Sequence, residues 1–478
     1  MKKTYIDTAM ERIAPDLILK GGNVVDVFSG RVIKADVIIK DGIICGVGSY
    51  SGENEQDVSG KYIMPGFIDS HVHIESSMTQ PSEYAKAVMP HGITTVIADP
   101  HEITNVCGED GLEFMLKSAK NIPLDVNLML PSCVPATPFE HTGANLDAKT
   151  TQKLAPKFFG IGEMMNYPGI VSGDDETLGK LCLDIVDGHA PLLSGHELDA
   201  YASAGIKTDH ECSVIEEMTE KISKGMYILL REGTLSLDVA KLIKGVTPYT
   251  LRRCAFCTDD RFVGEIIRDG SIDHCIRKAV SLGLSNIDAI IMATLNACEM
   301  YGMKNKGAIA PSYVADIVVA DDLNLSSISQ VYKNGKLVCE NGKALFECET
   351  VDNSKVTNTV HLPKISDDFF KTDVKDKFDA IELIPESIIT KKVTVSYSDS
   401  LSKVCVIERH HNLGTKGIGF VTNYGITNGA IATSIGHDSH NVIVIGDNDS
   451  DMALAVNTLA TSGGIAESTQ RYCGLFRG

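Results

Sequence analysis

The sequence predicts an α/β protein: a (β/α)8 TIM-like barrel, with a small β-sandwich domain built from both of its flanks and a C-terminal α/β domain. Three observations predict this fold. Short apolar runs alternate with helical stretches, two separated β-rich segments share one character, and a further strand-rich region lies near the C-terminus. With 478 residues, the chain is long enough for two or three domains.

The barrel is predicted over residues 66–300. Eight apolar runs recur there, each followed by a helical stretch, as in a closed parallel sheet. They are FIDSHVH, TTVIADP, DVNLMLPS, FFGIGEMM, CLDIVDGHA, AGIKTDHE, GMYILLREG and RCAFCTDD. Polar residues end nearly every run. In this fold that end of the strands is the rim where chemistry is done.

The small β domain is predicted from residues 1–65 and 301–350. Alternating apolar pieces such as ADVIIKDG occur before the barrel, and SQVYKNGKLVCENG occurs after it. The Asn-Gly pairs at 334–335 and 341–342 are turn signals. Because both segments share this pattern of short alternating apolar pieces and turn residues, we expect them to form one domain.

The C-terminal region is predicted to contain a linker and a further domain. Residues 351–378 are polar and rich in Lys and Asp, which is typical of a linker. Residues 379–478 contain strand-like runs such as KVCVIER and NVIVIGDN, followed by a helix for which Asp449 or Ser450 is the predicted N-cap. This pattern predicts a C-terminal α/β domain.

Composition and charge exclude some partners. A net charge of −19 argues against the nucleic-acid backbone or an anionic membrane as the main partner, but not against a free nucleobase. The N-terminus lacks the apolar stretch of a signal peptide, and no apolar run approaches the roughly 18 residues of a membrane span. Thirteen scattered cysteines suit a reducing compartment. We therefore expect a cytoplasmic protein.

A metal centre is predicted at the strand ends. In a strand, residues two apart point to the same face, so His71 and His73 of FIDSHVH project together. Taken alone, the pair could also be polar residues of a surface turn. However, ligand-capable residues close other runs as well, at Glu163, His189, His210 and Asp259. Such a set holds one or two divalent ions of the zinc, manganese or iron type.

These motifs resemble a known family. A HxH pair after the first strand, single histidines after the fifth and sixth, and an aspartate after the eighth are similar to the amidohydrolase superfamily. The stretches PGFIDSHVHIESSM, HGITTVIADPHEI, GIGEMMNYPG, TDHEC and HDSHN resemble its adenine deaminase family. Members of that family continue beyond the point where this chain ends, and residues 465–478 do not resemble them. We therefore expect an altered or truncated C-terminal domain.

The resemblance implies a function and its cofactors. It implies hydrolytic deamination of adenine to hypoxanthine and ammonia by a metal-activated hydroxide, in purine salvage. It also implies a binuclear manganese or iron centre, with zinc as the alternative, that Glu163 bridges. The expected partners are adenine and water, and a homo-oligomer is expected, a dimer being favoured. The alternatives are an amidohydrolase acting on a cyclic amide or a related purine, and a truncated, inactive relative.

Two carboxylates are predicted to move protons. Asp259 is placed to take a proton from water and pass it to the departing amine, and Glu211 to protonate a ring nitrogen. The alternative for Glu211 is an acid at a helix N-terminus.

Further polar residues are predicted to line the pocket: Glu75, His101 and Arg231 as substrate-binding residues. The segment Asp99-Pro-His101-Glu102 can instead support a metal ligand, which is favoured, or bind a further ion. Arg231 can instead pair with Glu232. The spacing of His437 and His440 is typical of metal ligands, and the alternative for these two is a hydrogen-bonded turn.

Overall fold

The computed structural model describes residues 2–373, 376–385, 389–396, 401–469 and 472–476. The chain divides into two compact units. The first unit comprises Met1–Asp99, Leu116–Leu130 and Thr151–Thr350. The second comprises Pro100–Met115, Pro131–Thr150 and Val351–Gly478. Two stretches of the predicted 66–300 domain therefore belong to the second unit.

The helices of the described residues are mostly short. In chain order they are α1 (Lys2–Ala9), α2 (Pro81–Val88), α3 (His101–Ser118), α4 (Ala148–Leu154), α5 (Tyr167–Ser172), α6 (Asp175–Gly179), α7 (Gly195–Ser203), α8 (Ile215–Ser223), α9 (Val239–Leu242), α10 (Val263–Asp269), α11 (Ile272–Ser281), α12 (Asn286–Met292), α13 (Leu295–Met300) and α14 (Asp449–Leu459). Over the described part of the chain, no helix is both long and apolar enough to span a bilayer.

A nine-stranded sheet of the first unit begins at the N-terminal flank. Its first strands are β1 (Leu17–Asp26), β2 (Arg31–Lys40), β3 (Ile43–Gly48), β4 (Glu55–Asp57) and β5 (Tyr62–Pro65). β1 pairs antiparallel with β2 and parallel with β4 and β5. Buried side chains such as Val37 and Ile63 form its apolar core.

Eight parallel strands follow in two sheets of the same unit. β6 (Phe67–Val72), β7 (Ile93–Ala98), β8 (Asp125–Leu130), β9 (Gly160–Met164) and β10 (Val186–Gly188) form one curled sheet. β11 (Thr208–Asp209), β12 (Tyr227–Arg231) and β13 (Cys254–Cys257) form the other. Because both faces of a parallel sheet are covered, its strands are buried on both sides, and every residue of β6, β7 and β13 is buried.

The nine-stranded sheet is completed by the segment after these strands. Its members are β14 (Ile317–Ala320), β15 (Ile328–Lys333), β16 (Lys336–Glu340) and β17 (Lys343–Ala344). β5 pairs with β1 on one side and with β14 on the other, so one continuous sheet contains strands from both flanks. The predicted sandwich is thus a single hydrogen-bonded sheet, because β5 joins the two segments.

The second unit contains an eight-stranded, largely antiparallel sheet. Its strands are β18 (Lys377–Leu383), β19 (Thr390–Ser396), β20 (Ser402–Ile407), β21 (Lys416–Thr422), β22 (Gly429–Thr433), β23 (Val442–Gly446), β24 (Ile465–Thr469) and β25 (Tyr472–Phe476). Helix α14 packs against β22, β23 and β24. The parallel helix-covered sheet expected of an α/β domain is absent from the described residues of this unit, since its strands connect mostly as antiparallel neighbours.

Two sequence expectations for this unit need correction. The stretch predicted as a linker, 351–378, supplies Ile365 and Phe370 to the buried core, because two apolar side chains outweigh its polar composition. The N-cap of α14 is Asn448, whose side-chain oxygen accepts a hydrogen bond from the Asp451 N–H at 2.9 Å. The expected alteration of the C-terminus concerns residues 465–478, of which 470, 471, 477 and 478 lie outside the described residues.

Candidate metal centre

The two histidines of the HxH motif meet at the end of β6. Both are buried, and their Nε2 atoms lie 3.2 Å apart. The Nδ1 atom of His73 lies 2.9 Å from the carbonyl oxygen of Asp99. Because a carbonyl only accepts, Nδ1 carries the proton and the lone pair of Nε2 is directed at the cluster. The tautomer of His73 is the one that a metal ligand needs.

Glu163, in β9, lies between two groups of imidazoles. Its Oε1 atom is 3.3 Å from Nε2 of His73. Its Oε2 atom is 3.1 Å from Nε2 of His210 and 2.6 Å from Nδ1 of His189. His189 and His210 directly follow β10 and β11. One carboxylate therefore faces HxH with one oxygen and the other two histidines with its second oxygen.

Asp259 joins the last parallel strand to the first. Its N–H donates to the carbonyl of His71 (3.0 Å), and its own carbonyl accepts from the N–H of His73 (3.2 Å). Its Oδ1 atom lies 3.1 Å from Nε2 of His73 and 3.7 Å from Nε2 of His71. The residue has φ = +56°, a conformation that Asp and Asn tolerate better than most residues.

The donor set fits a divalent transition metal. Two ligands bound to one such ion at about 2.0–2.2 Å lie about 3–3.5 Å apart for angles between octahedral and tetrahedral values. The separations between HxH, Glu163 and Asp259 fall near this range. Groups of three drawn from these residues, with His189 and His210, have ligand atoms within 4.8 Å of one another. Imidazole and carboxylate donors suit zinc, manganese and iron.

The buried carboxylates of the cluster are ionised. Burial raises the pKa of Glu163, but His189, His210 and His73 outweigh it and hold the pKa well below the ordinary value. Asp259 behaves in the same way: burial raises its pKa, and the adjacent His73, with the charges of His210 and Arg231, lowers the pKa more. Burial lowers the pKa of His189, but Glu163 raises it to about 9. Metal binding would displace such imidazole protons.

Arg231, at the end of β12, holds the two carboxylates that are predicted to move protons. Its Nη1 atom donates to Glu211 and, at 2.9 Å, to Oδ2 of Asp259. Its Nε atom donates to Asp238 at 3.1 Å. The alternative pairing of Arg231 with Glu232 is wrong, because Glu232 is bound by Lys278 instead.

Glu211 lies in the segment between β11 and α8. Its Oε1 atom is 3.6 Å from Nε2 of His210, and its side chain is 10% exposed. The first turn of α8 contains Glu216 and Glu217 instead. The alternative of a helix N-terminal acid therefore does not describe Glu211.

The remaining predicted residues lie at different places. Glu75 is in the single 3-10 turn, Ile74–Ser77, that follows His73. His101 is the first residue of α3 and belongs to the second unit, as do His437 and His440. His440 also takes part in a turn, since its N–H donates to the carbonyl of Gly436 at 2.7 Å.

The sequence did not predict the residues that support the candidate ligands. Asp187, two residues before His189, has Oδ2 3.7 Å from Nδ1 of His71 and is held by the hydroxyls of Tyr301 and Thr208. A buried ion-pair network lies behind the other histidines. Its only sequence signal is an aspartate one or two residues before each histidine, as in VDGH and TDH.

Lys221 is the centre of that network. Its side chain is fully buried, and its Nζ atom lies 2.7 Å from Glu217 and 3.1 Å from Asp209. Asp209 in turn accepts hydrogen bonds from the N–H groups of Ala190 and Glu211, both at 2.9 Å. The network therefore fixes the backbone beside His189 and His210.

We expect Lys221→Met to lower the free energy of unfolding by about 3–5 kcal/mol, because two buried carboxylates lose their cation. Urea unfolding of the metal-loaded protein measures this. The matched control is Lys224→Met: Lys224 follows the same helix, is 32% exposed and pairs with Asp199. That change should cost about 0–1 kcal/mol. Equal effects of the two substitutions would show that the buried network is not needed.

Two family models match the chain. The model described as the amidohydrolase family matches residues 62–338, and the model described as the adenine deaminase C-terminal domain matches residues 383–471. The expectation that the sequence from 465 onward does not resemble that family is therefore wrong for residues 465–471. The first match contains every residue of the candidate metal centre.

Known proteins resemble the chain over most of its length. A protein named adenine deaminase from Clostridium acetobutylicum is 48% identical over 479 residues, which cover 96% of this chain and 84% of that protein. One named adenine deaminase 2 from Desulfotalea psychrophila is 45% identical over 97% of this chain and 84% of its own length. Among solved structures, a β-aspartyl dipeptidase from Fervidobacterium islandicum AW-1 has a TM-score of 0.51 at 20% identity, covering 70% of this chain and 99% of that one. This last likeness concerns the fold alone.

Proposed function

The chain belongs to the amidohydrolase family, among relatives named adenine deaminase, and on this premise we propose that it hydrolyses adenine to hypoxanthine and ammonia. One observation carries the proposal. Two carboxylates, Asp259 and Glu211, lie beside the histidine cluster and are held by one guanidinium group, that of Arg231. Replacing an aromatic amine with oxygen requires two sites of proton transfer, and this pair supplies them.

The centre that we propose is binuclear and takes manganese or iron, with zinc as the alternative. His71, His73 and Asp259 would hold one ion, and His189 and His210 the other. Glu163 would bridge the two, since its oxygens face the two groups separately. When bound, the metal acts as a Lewis acid that brings the pKa of water into the neutral range.

The protein residues move the protons. In our proposal Asp259 accepts a proton from water and delivers it to the departing amine. Glu211 enters the step protonated and gives its proton to a ring nitrogen as C6 becomes tetrahedral, and the hydroxyl proton that is lost as the C6 carbonyl forms returns to Glu211. Arg231 orients both carboxyl groups, and its charge helps to hold the pKa of Asp259 below the ordinary value. One water is consumed and one ammonia leaves, so the atoms balance.

We further propose that the eight parallel strands close into a barrel. At one junction of the two sheets, Val72 of β6 forms a parallel bridge with Asp259, just after β13. At the other, the N–H of Gly188 donates to the hydroxyl of Thr208 at 3.0 Å, so β10 lies beside β11. These contacts support a ring whose strand ends meet at the candidate metal centre.

A panel of substrates tests the proposed function. We expect the metal-loaded protein to release ammonia from adenine faster than from adenosine or AMP. The ligand-bearing strand ends present carboxylates, and Arg231 is already paired with them, so a phosphate would meet like charge. Such juxtaposition costs several kcal/mol, and kcat/KM for AMP should be lower by about 100-fold or more.

Ammonia release and hypoxanthine formation are measured for each compound, with a cyclic amide included as the substrate of the alternative amidohydrolase reaction. Metal-free protein is the control. Faster turnover of AMP or adenosine, or hydrolysis of the cyclic amide without deamination of adenine, would contradict the proposal.

A further inference from the structure

A second cluster of imidazoles and carboxylates lies in the second unit. The first turn of α3 supplies His101 and Glu102, and the loop between β22 and β23 supplies His437, Asp438 and His440. Oε1 of Glu102 contacts Nδ1 of His437, and Oε2 contacts Nε2 of His440. Glu102 is 2% exposed. Three imidazoles therefore contact one buried carboxyl group, that of Glu102, and Asp438 lies beside His101.

We propose that His101, Glu102, His437 and Asp438 form a binding site for a divalent transition metal, additional to the candidate metal centre. The site would take zinc, manganese or iron through two imidazole nitrogens and two carboxylate oxygens. The two carboxylates together carry two negative charges, which one dication neutralises.

The position of His101 distinguishes this arrangement from a plain ion pair. Its Nε2 atom lies 3.3 Å from Oε1 of Glu102 and 3.5 Å from Oδ1 of Asp438. Charge-assisted hydrogen bonds are shorter, about 2.7–2.9 Å. Ligands that share one ion lie about 3–3.5 Å apart. The nitrogen is thus directed between two carboxylate oxygens at ligand-to-ligand distances.

His440 has the geometry of a supporting residue. Its Nδ1 atom accepts a hydrogen bond from the N–H of Gly436 at 3.3 Å, so the proton is on Nε2, and Nε2–H donates to Glu102. A ring in this tautomer does not bind a metal through Nε2. It fixes the carboxylate that does, as hydrogen bonds to ligating carboxylates commonly do.

The site would join two distant parts of the chain. Glu102 and His440 are separated by 338 positions in the sequence. An ion held by α3 on one side and by the β22–β23 loop on the other would attach the inserted helix of the second unit to its sheet domain. The role that follows is structural, and metal content is its direct readout.

The test measures zinc per chain in the full-length protein. Protein stripped with a chelator is reloaded with Zn²⁺ alone, freed of excess metal and analysed by mass spectrometry. We expect His437→Ala/Asp438→Asn to hold about one equivalent less than the wild type. The two side chains are 39% and 28% exposed, so the change should leave the fold intact. The matched control, His361→Ala, changes an exposed histidine of the same unit and should keep the full content.

A second variant tests the supporting role. His440→Ala should keep the site but weaken zinc binding by about 10–100-fold, the usual effect of losing such a partner. Equal zinc content in the wild type and the double variant would overturn the proposal, as would the same loss in His361→Ala. If the double variant fails to fold, Asp438→Asn alone decides, because Asn is isosteric: undiminished zinc affinity overturns the site. The count does not depend on deamination, so it can fail or succeed independently of the proposed function.

Discussion

Replacing His71 with alanine is expected to remove metal from the candidate centre and to abolish adenine deamination in the same variant. The Nε2 atom of His71 lies 3.2 Å from that of His73, and alanine deletes one of the two proposed ligands at the end of β6. Metal stabilises developing charge by several kcal/mol, and each 1.36 kcal/mol is tenfold in rate. We therefore expect kcat to fall by about 1000-fold or more.

Metal content and ammonia release are measured on one preparation of the variant. His196→Ala is the matched control, because His196 lies in the same unit but its side chain is fully exposed on α7. It should keep both properties. Full metal content together with an unchanged rate in His71→Ala would remove the HxH pair from the proposed centre.

Asp259→Asn is expected to separate metal binding from proton transfer. Asn has nearly the same shape, tolerates the φ of +56° and still offers an oxygen, but it cannot take up a proton. We expect the variant to retain much of its metal and its affinity for adenine. Turnover should fall by roughly 100- to 10,000-fold, the range for losing a general acid–base. The low-pH limb of the rate profile should change as well.

Excess metal and a second variant identify the cause of that defect. If Asp259 is only a ligand, excess metal should restore the rate. Asp238→Asn also removes a carboxylate from Arg231, but on the Nε side and without touching His73. It should reduce turnover by less than Asp259→Asn does. A fully metallated Asp259→Asn variant with near wild-type turnover would exclude Asp259 from the mechanism.

The close approach of the proposed ligands could be predicted from the sequence because it depends on local rules. Alternation along a strand places His71 and His73 on one face, and the carboxyl ends of parallel strands meet at one rim. Glu163 and His210 could be identified because each ends an apolar run that is typical of a barrel strand. The proposed assignment of these residues as ligands rests on the same two rules and on the distances between their donor atoms.

The supporting contacts could not be predicted in this way. Whether Arg231 pairs with Glu211 or with its neighbour Glu232 depends on side-chain directions at strand ends, which alternate between successive residues and follow from register. In the sequence, Lys221 has the pattern of an exposed charge on an amphipathic helix. In the structure it is buried against Asp209. The polar composition of residues 351–378 likewise did not predict the burial of Phe370, because a few apolar residues are enough to bury part of a polar stretch.

The contact between the first and last parallel strands has a consequence for biosynthesis. The hydroxyl and N–H of Thr258 donate to the buried carboxylate of Asp69, and these residues are 189 positions apart. At about 5–20 residues per second, a ribosome needs roughly 10–40 s to make that interval. During this time the nascent chain contains His71 and His73 but not Asp259. The complete set of proposed ligands therefore exists only after the eighth strand has emerged, so the proposed metal could bind all of them only from that point on.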